Sequence, residues 1–472
     1  MSDVMQFIGR KRELAFLTDA YQSNKAEFLL VSGRRRIGKT ALLSEFAQGK
    51  ACLFFSCTQS GNLEQLTRFS RAVLSLGTPA AKYLTRFDDW ETAFEELARV
   101  PGAGRKLIII DEFPYLAEQN KAIPSILQNV WDRVLQHENV MLILCGSAVS
   151  FMEKELTGYK SPLYGRFTGK IQLKPLGYRD AFRFFPNWSD EEKVLAYAIL
   201  GGTPLYLSMF DPMRSLRENV VSTVFRPGNV LYDAPMIVLR QECREPARYN
   251  DILRAVSLGT TRPSEIAQKA DIAPSNLHHY LEVLSDLGYV APQYEPGTKT
   301  KGTANTQRAL WYPGDSLINF WYGYVYPNLD LLLFAGGADR VWQEAIEPNL
   351  HSIAAFPFES VCMEFLKELS VCGRLPFRAT TFRRWNEPNS EIDIVAENET
   401  AKSVIFGECK FRNSRATLSM YLALREKSMI RKCDERYYML FSLSGFEPSI
   451  VTAAADPQSN LTLFTLQDII AE

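Results

Sequence analysis

The stretch EFLLVSGRRRIGKTALLSEFA at 27–47 limits what this chain can fold into more than any other. An apolar run ends at Ser32, the pattern G-x-x-x-x-G-K-T fills Gly33 to Thr40, and an amphipathic run follows. Glycines let successive backbone N–H groups curl around phosphate. A lysine at that spacing reaches the terminal phosphates, and a hydroxyl at the helix start can ligate Mg2+. A glycine turn matching by accident would not carry a strand before it and a helix after it. The spacing therefore predicts an α/β chain with a P-loop NTPase core. Its cradle is Gly33, Arg34, Arg35, Arg36, Ile37, Gly38, Lys39 and Thr40.

The run KLIIIDEF at 106–113 is a buried strand ending in two acids. Asp111 is placed to hold Mg2+ with Thr40, and Glu112 to polarise the attacking water. A third apolar strand, MLILCGS, ends in Ser147, which senses the γ-phosphate if its strand lies beside that of Asp111. In YGRFTG, Arg166 reads equally as an arginine finger or as a solvated loop arginine. As a finger it acts in trans, within a homo-oligomer.

FIGRKREL, GRRRIGKT, IIIDEFPYL, CGSAVSFM, YGRFTG and GGTPLYL, in that order, resemble the archaeal-type P-loop ATPases of the AAA/STAND group. The resemblance covers about the first half of the chain. It implies ATP in preference to GTP, and a first segment that contacts the base region. It also implies a helical lid over the base that includes Gly201 to Pro204.

Beyond the lid, REPARYNDILRAVSLG, TRPSEIAQKADI and APSNLHHYLEVLSDLGYV predict three short helices, and two strand-like arms around a Gly/Thr/Lys-rich tip predict a wing. In this winged helix-turn-helix, Leu277, Leu281, Leu284 and Leu287 form the core face. Asn276, His278, His279 and Glu282 face outward, and Lys299, Lys301 and Arg308 ride the wing. The partner is DNA, with the third helix in the major groove and the wing on phosphate. The poorly basic helix face also suits a protein partner, as the lesser reading. The paired histidines have no further Cys or His at ligand spacing and are assigned no zinc. Trp321, Tyr322, Tyr324 and Tyr326 are expected to pack a junction rather than stack bases.

The tail alternates strands and helices. Glu408 and Lys410 stand two apart on one strand and share a face, whereas Asp393 leaves the face opposite Ile392 and Ile394. If the two strands pair as a hairpin, two carboxylates and an ammonium converge. Such hard oxygens hold Mg2+ or Mn2+, and the lysine positions water or neutralises a scissile phosphate. The same charges also read as a salt-bridged strand pair or a binding surface. The pattern resembles the PD-(D/E)xK nuclease fold, without a Pro-Asp dipeptide. That resemblance implies Glu359 of the first helix as an additional acid. The tail also resembles the C-terminal domain of unknown function that accompanies archaeal-type ATPases.

The expected organisation is a P-loop ATPase core at 1–175, a helical lid at 176–240, the winged helix-turn-helix at 241–312, an aromatic linker at 313–348, and a small α/β restriction-endonuclease-like domain at 349–472. A net charge of −1 requires any nucleic-acid surface to be a local patch. Eight scattered cysteines without CxxC spacing predict reduced core thiols in a cytoplasmic protein. The start lacks a signal-peptide layout, and the longest apolar runs are too short to span a bilayer, so no membrane role is expected.

Overall fold

The computed structural model describes residues 7–471 except 103, 148–150, 244, 294–308, 388–389, 399–401 and 430. It divides into two compact units. One comprises the residues up to Pro175 together with Thr203–Leu205, and the other comprises Leu176–Gly202 and the residues from Tyr206 on.

In the first unit, β1 (Glu27–Ser32), β2 (Cys52–Ser56), β3 (Lys106–Asp111), β4 (Val140–Gly146) and β5 (Gly169–Gln172) form a parallel sheet in the order β2-β3-β4-β1-β5. These strands are nearly continuous apolar runs because both faces are covered. Phe28, Ile108 and Leu142 enter one apolar cluster, while Leu29, Ile109 and Ile143 enter another on the opposite face. Ser32 lies beside Gly146, and Ile110 beside Leu144. The carboxyl ends of β1, β3 and β4 therefore finish at one edge, where ligands of open α/β sheets bind.

In the second unit, helices Pro246–Ser257, Pro263–Lys269 and Pro274–Asp286 each begin with proline at the first helical position, where its missing N–H costs nothing. The short strands β6 (Val290–Gln293) and β7 (Leu310–Pro313) then pair antiparallel as the arms of a wing. Lys299, Lys301 and Arg308 lie outside the described residues. Beyond the long helix Leu350–Val371 come β8 (Thr381–Glu387), β9 (Ser390–Glu397), β10 (Ser403–Lys410), β11 (Glu435–Ser442) and β12 (Leu461–Thr465), in the order β12-β11-β10-β9-β8. The first three strands pair antiparallel, and β10, β11 and β12 run parallel.

The boundaries expected at 240, 312 and 348 do not separate cores. One apolar cluster contains Ile199, Leu253, Trp321, Trp342, Phe358, Ile405 and Ile469. Trp321 and Tyr322 are buried in it, and their polar tips are satisfied by the Tyr232 carbonyl at 2.6 Å and Asn250 Oδ1 at 2.8 Å. Their rings are packing, as expected, and unavailable to bases. Among the described residues no helix is long and apolar enough to cross a membrane.

Candidate functional site

The loop after β1 is built around its lysine. Lys39 is buried, and its ammonium donates to the carbonyls of Gly33 at 2.9 Å and Arg34 at 3.1 Å. A Cβ on Gly33, whose φ is 153°, would stand 2.8 Å from the Leu173 carbonyl oxygen, so only glycine fits. Ile37 is fully buried and contributes backbone to the cradle while its side chain anchors the loop in the core. Arg34 Nη2 donates to Thr203 Oγ1 at 2.6 Å and Arg35 Nη2 to Tyr115 at 2.7 Å. Arg36 Nη1 is buried with no hydrogen-bond partner, a donor suited to an anion. Pro204 Cγ lies 3.6 Å from where a Cβ on Gly38 would stand, which places the proline against the loop.

The acids arrive from β3. Thr40 Oγ1 donates to Asp111 Oδ2 at 2.7 Å, joining the helix-start hydroxyl to the strand-end carboxylate. These hard oxygens beside a phosphate cradle fit Mg2+, which when bound supplies charge neutralisation for the phosphates. Ser147 Oγ donates to Glu112 Oε2 at 2.9 Å, because β4 lies between β1 and β3. Burial and the Asp111 carboxylate push the Cys145 thiol well up, leaving it an inert core group.

Sequence reasoning placed FIGRKREL near the base and gave Arg10 no side-chain role. Buried Arg10 donates to the Ile37 carbonyl at 3.0 Å and the Lys174 carbonyl at 2.7 Å, bracing the loop from outside. Arg10, Arg36 and Glu112 all have positive φ, at 61°, 68° and 51°. Backbone strain in non-glycine residues gathers at functional sites, and here three instances surround one loop.

Arg166 does not join this group within its own chain. It forms a two-pronged ion pair with Asp132, at 3.2 Å and 2.9 Å, beside a cleft lined by Lys25, His137 and Asn139. Those residues precede β1 and β4, so the cleft lies at the amino edge of the sheet, about 17–20 Å of strand from the cradle.

In the second unit, Arg383 pairs with Val395 and Trp385 with Ile392, so Asp393 and Ile394 together face the single residue Arg384. This β-bulge corrects the expected alternation: Ile392 and Ile394 enter different apolar clusters instead of sharing a face. It also turns Asp393 toward β10, where its Oδ2 accepts the Cys409 N–H at 2.8 Å. Lys410 Nζ donates to Glu408 Oε1 at 2.6 Å, while Glu408 Oε2 is buried with no hydrogen-bond partner and lies 3.7 Å from the Lys427 ammonium. Glu359 pairs with Arg384 at 3.1 Å.

Burial, then the Asp393 charge, lifts the Glu359 carboxyl to about 8. Burial, then Glu408, lifts Asp393 to about 6. Burial pulls Lys410 down, but Glu408 outweighs it and leaves the ammonium firmly charged. Asp393 and Glu408 carry carboxylate oxygens of the hard kind that divalent ions take, but here they are engaged by the Cys409 N–H and by the Lys410 and Lys427 ammoniums. Glu359 is engaged by Arg384. Among the described residues no group of three or more His, Cys, Asp or Glu side chains is gathered as a metal site. Arg384 and Lys427, which sequence reasoning missed, lie in a different strand and a different helix from the E-x-K pattern, and no local spacing marks them.

In the helix-turn-helix, Leu277, Leu281 and Leu284 are buried, while Asn276, His278, His279 and Glu282 are exposed. His278 Nε2 lies 3.1 Å from Glu282 Oε1, so the exposed face is polar and carries little positive charge.

Parallel sheet, phosphate loop and strand-end acids together define a P-loop ATPase domain. Residues 7–210 match the family described as an ATPase domain predominantly from Archaea, 247–293 the IclR helix-turn-helix domain, and 321–421 a family described as archaeal and bacterial proteins of unknown function. An uncharacterized protein of Methanocaldococcus jannaschii is 31% identical over 440 residues, covering 92% of this chain and 95% of that one. The chain therefore belongs to the same family as that archaeal protein. An uncharacterized ATP-binding protein of the same organism is 42% identical over 50 residues, 11% of this chain and 85% of its own length. The Walker-type ATPase of Pyrococcus abyssi superposes with a TM-score of 0.51 at 22% identity, covering 67% of this chain and 96% of that one, a likeness of fold.

Proposed function

We propose that this protein binds and hydrolyses ATP with Mg2+, engages DNA through its helix-turn-helix, and uses nucleotide state to control phosphodiester cleavage at Asp393, Glu408 and Lys410. The observation that carries the reading is the hydrogen-bonded edge of the parallel sheet, where Lys39, the Thr40–Asp111 pair and the Glu112–Ser147 pair lie together. Lys39 binds the terminal phosphates, Thr40 and Asp111 hold the ion, and Glu112 takes the proton of the attacking water while Ser147 orients it. Arg166 serves a neighbouring copy in a homo-oligomer. The IclR-type match supports DNA as the partner, and the weakly basic helix face leaves a protein partner as the competing use of the same surface.

In the tail, Lys410 would neutralise the scissile phosphate and Asp393, Glu408 and Glu359 are the acids that would hold an ion, which when bound would supply Lewis acidity. A second reading, in which the tail binds without cutting, is favoured by the pairing of Glu359 with Arg384. One experiment separates them. Wild type, Glu112→Gln and Lys410→Ala are incubated with single- and double-stranded DNA in Mg2+ or Mn2+, with and without ATP, and both phosphate release and strand cutting are followed. The expected result is slow ATP turnover by Glu112→Gln despite normal ATP binding, with a loss on the order of 100-fold, and cutting abolished in Lys410→Ala. Wild type that turns over ATP but never cuts supports the binding-only tail. Unimpaired turnover by Glu112→Gln removes that residue from catalysis.

A further inference from the structure

Gly201, Gly202, Thr203 and Pro204 each do something different. Gly201, with φ 65° and ψ −161°, ends the helix Asp190–Leu200 in a conformation essentially reserved for glycine. A Cβ on Gly202 would stand 1.9 Å from the Leu176 carbonyl oxygen. Thr203, only 1% exposed, accepts the Arg34 guanidinium on its hydroxyl. Pro204 then rests against Gly38 of the phosphate loop. Thr203–Leu205 is the part of the first unit that lies outside its first 175 residues, and the chain before and after it belongs to the second unit.

Arg34 has two tasks within the cradle. Its side chain holds Thr203, and its backbone carbonyl holds the Lys39 ammonium at 3.1 Å. Phosphate that draws Lys39 toward itself acts on the same residue from which the 203–205 strap hangs. By linkage, whatever fastens the strap alters how tightly the nucleotide is held. A hydrogen bond from a charged donor, shielded from water, is among the stronger kinds.

We propose that Thr203 is a positioning residue of the nucleotide site: its hydroxyl, held by Arg34, fastens the strap to the cradle and sets how long a nucleotide stays. This rests on ATP occupying the cradle. The test is the dissociation rate of a fluorescent ATP analogue with Mg2+, chased with excess ATP, from the full chain as wild type, Thr203→Val, Thr203→Ser, Arg34→Met and the Arg34→Met/Thr203→Val double variant. Thr203→Val should release the analogue about tenfold faster, and Thr203→Ser, which keeps the hydroxyl, within about twofold of wild type. In the Arg34→Met background Thr203→Val should add nothing. A wild-type rate for Thr203→Val overturns the proposal, as does equal acceleration by Thr203→Ser or independent multiplication of the two effects. Wild type that retains no analogue overturns the nucleotide reading itself, whereas retention by wild type with Thr203→Val unchanged overturns the strap alone.

Discussion

Asp393 is an acid whose surroundings resist its ionisation. Burial and then the Glu408 charge hold its carboxyl near 6, above the 3.8 of an unperturbed aspartate. The folded state therefore binds this proton more tightly than the unfolded state does. The stability this provides is fully present below about 3.8 and is lost as pH rises through about 6. Asparagine in its place carries no such penalty and can still accept the Cys409 N–H. Without divalent ions, Asp393→Asn should melt about 2–4 °C above wild type at pH 8, and the difference should close at pH 4. Equal melting curves at both pH values would show that Asp393 is not held up by its neighbours. At this scale the sequence was legible where chemistry is written in local spacing. The meeting of Thr40 with Asp111 could be expected from strand, loop and helix order, and the Glu408–Lys410 contact from their two-residue separation on one strand. The contacts of Arg10, Thr203, Arg384 and Lys427 could not, even though Thr203 lay within the segment assigned to the lid, because each is made with a distant part of the chain.

The helix Asp190–Leu200 shows what fixes an element at both ends. Ser189 and Glu192 form a reciprocal capping box at its start, and Gly201 ends it with positive φ. The Leu176 N–H donates to the Gly202 carbonyl at 2.7 Å, so two backbones lie in contact at the turn with no room for a side chain. Gly201→Ala should cost about 1–3 kcal/mol through its backbone conformation. Gly202→Ala should cost about 3 kcal/mol or more, since backbone atoms and not a flexible side chain must move. Urea unfolding midpoints check the ranking, and a wild-type midpoint for Gly202→Ala would mean that this turn is looser than its geometry. The long helix Leu350–Val371 was legible in existence but not in extent. A proline usually marks a helix start, yet Pro357 lies inside this helix. Glu364, five residues past Glu359, points about 140° away and meets Gly177 at the start of the lid segment.

At the scale of the whole molecule, the order of the parts was legible and their independence was not. Each part announces itself locally: the phosphate loop by its glycines, the helix-turn-helix by its leucine spacing, the tail by its alternating strands. A shared core is a set of contacts between residues far apart in sequence, and no local period encodes it. The lid, helix-turn-helix, aromatic segment and tail contribute to one apolar cluster. Polar contacts follow the same path. The Tyr178 hydroxyl lies 3.0 Å from the Ile469 carbonyl oxygen and 3.2 Å from a Glu368 carboxylate oxygen, Arg179 pairs with Glu368 at 2.7 Å, and His351 meets Glu191 at 3.0 Å. A fragment of residues 349–472 would thus lose the partners of Phe358, Leu366 and Ile469 and leave the Glu368 carboxylate without its arginine. Burial of large apolar side chains is worth about 1.5–3 kcal/mol each, so losing these three removes an amount comparable with the whole stability, about 5–15 kcal/mol, of an ordinary domain. The fragment should bind a hydrophobic dye and melt without a cooperative transition, whereas residues 176–472 should unfold cooperatively. A cooperative transition of 349–472 at the temperature seen in the full chain would make the tail an autonomous domain, and would leave the lid contacts as a docking interface instead of a common core.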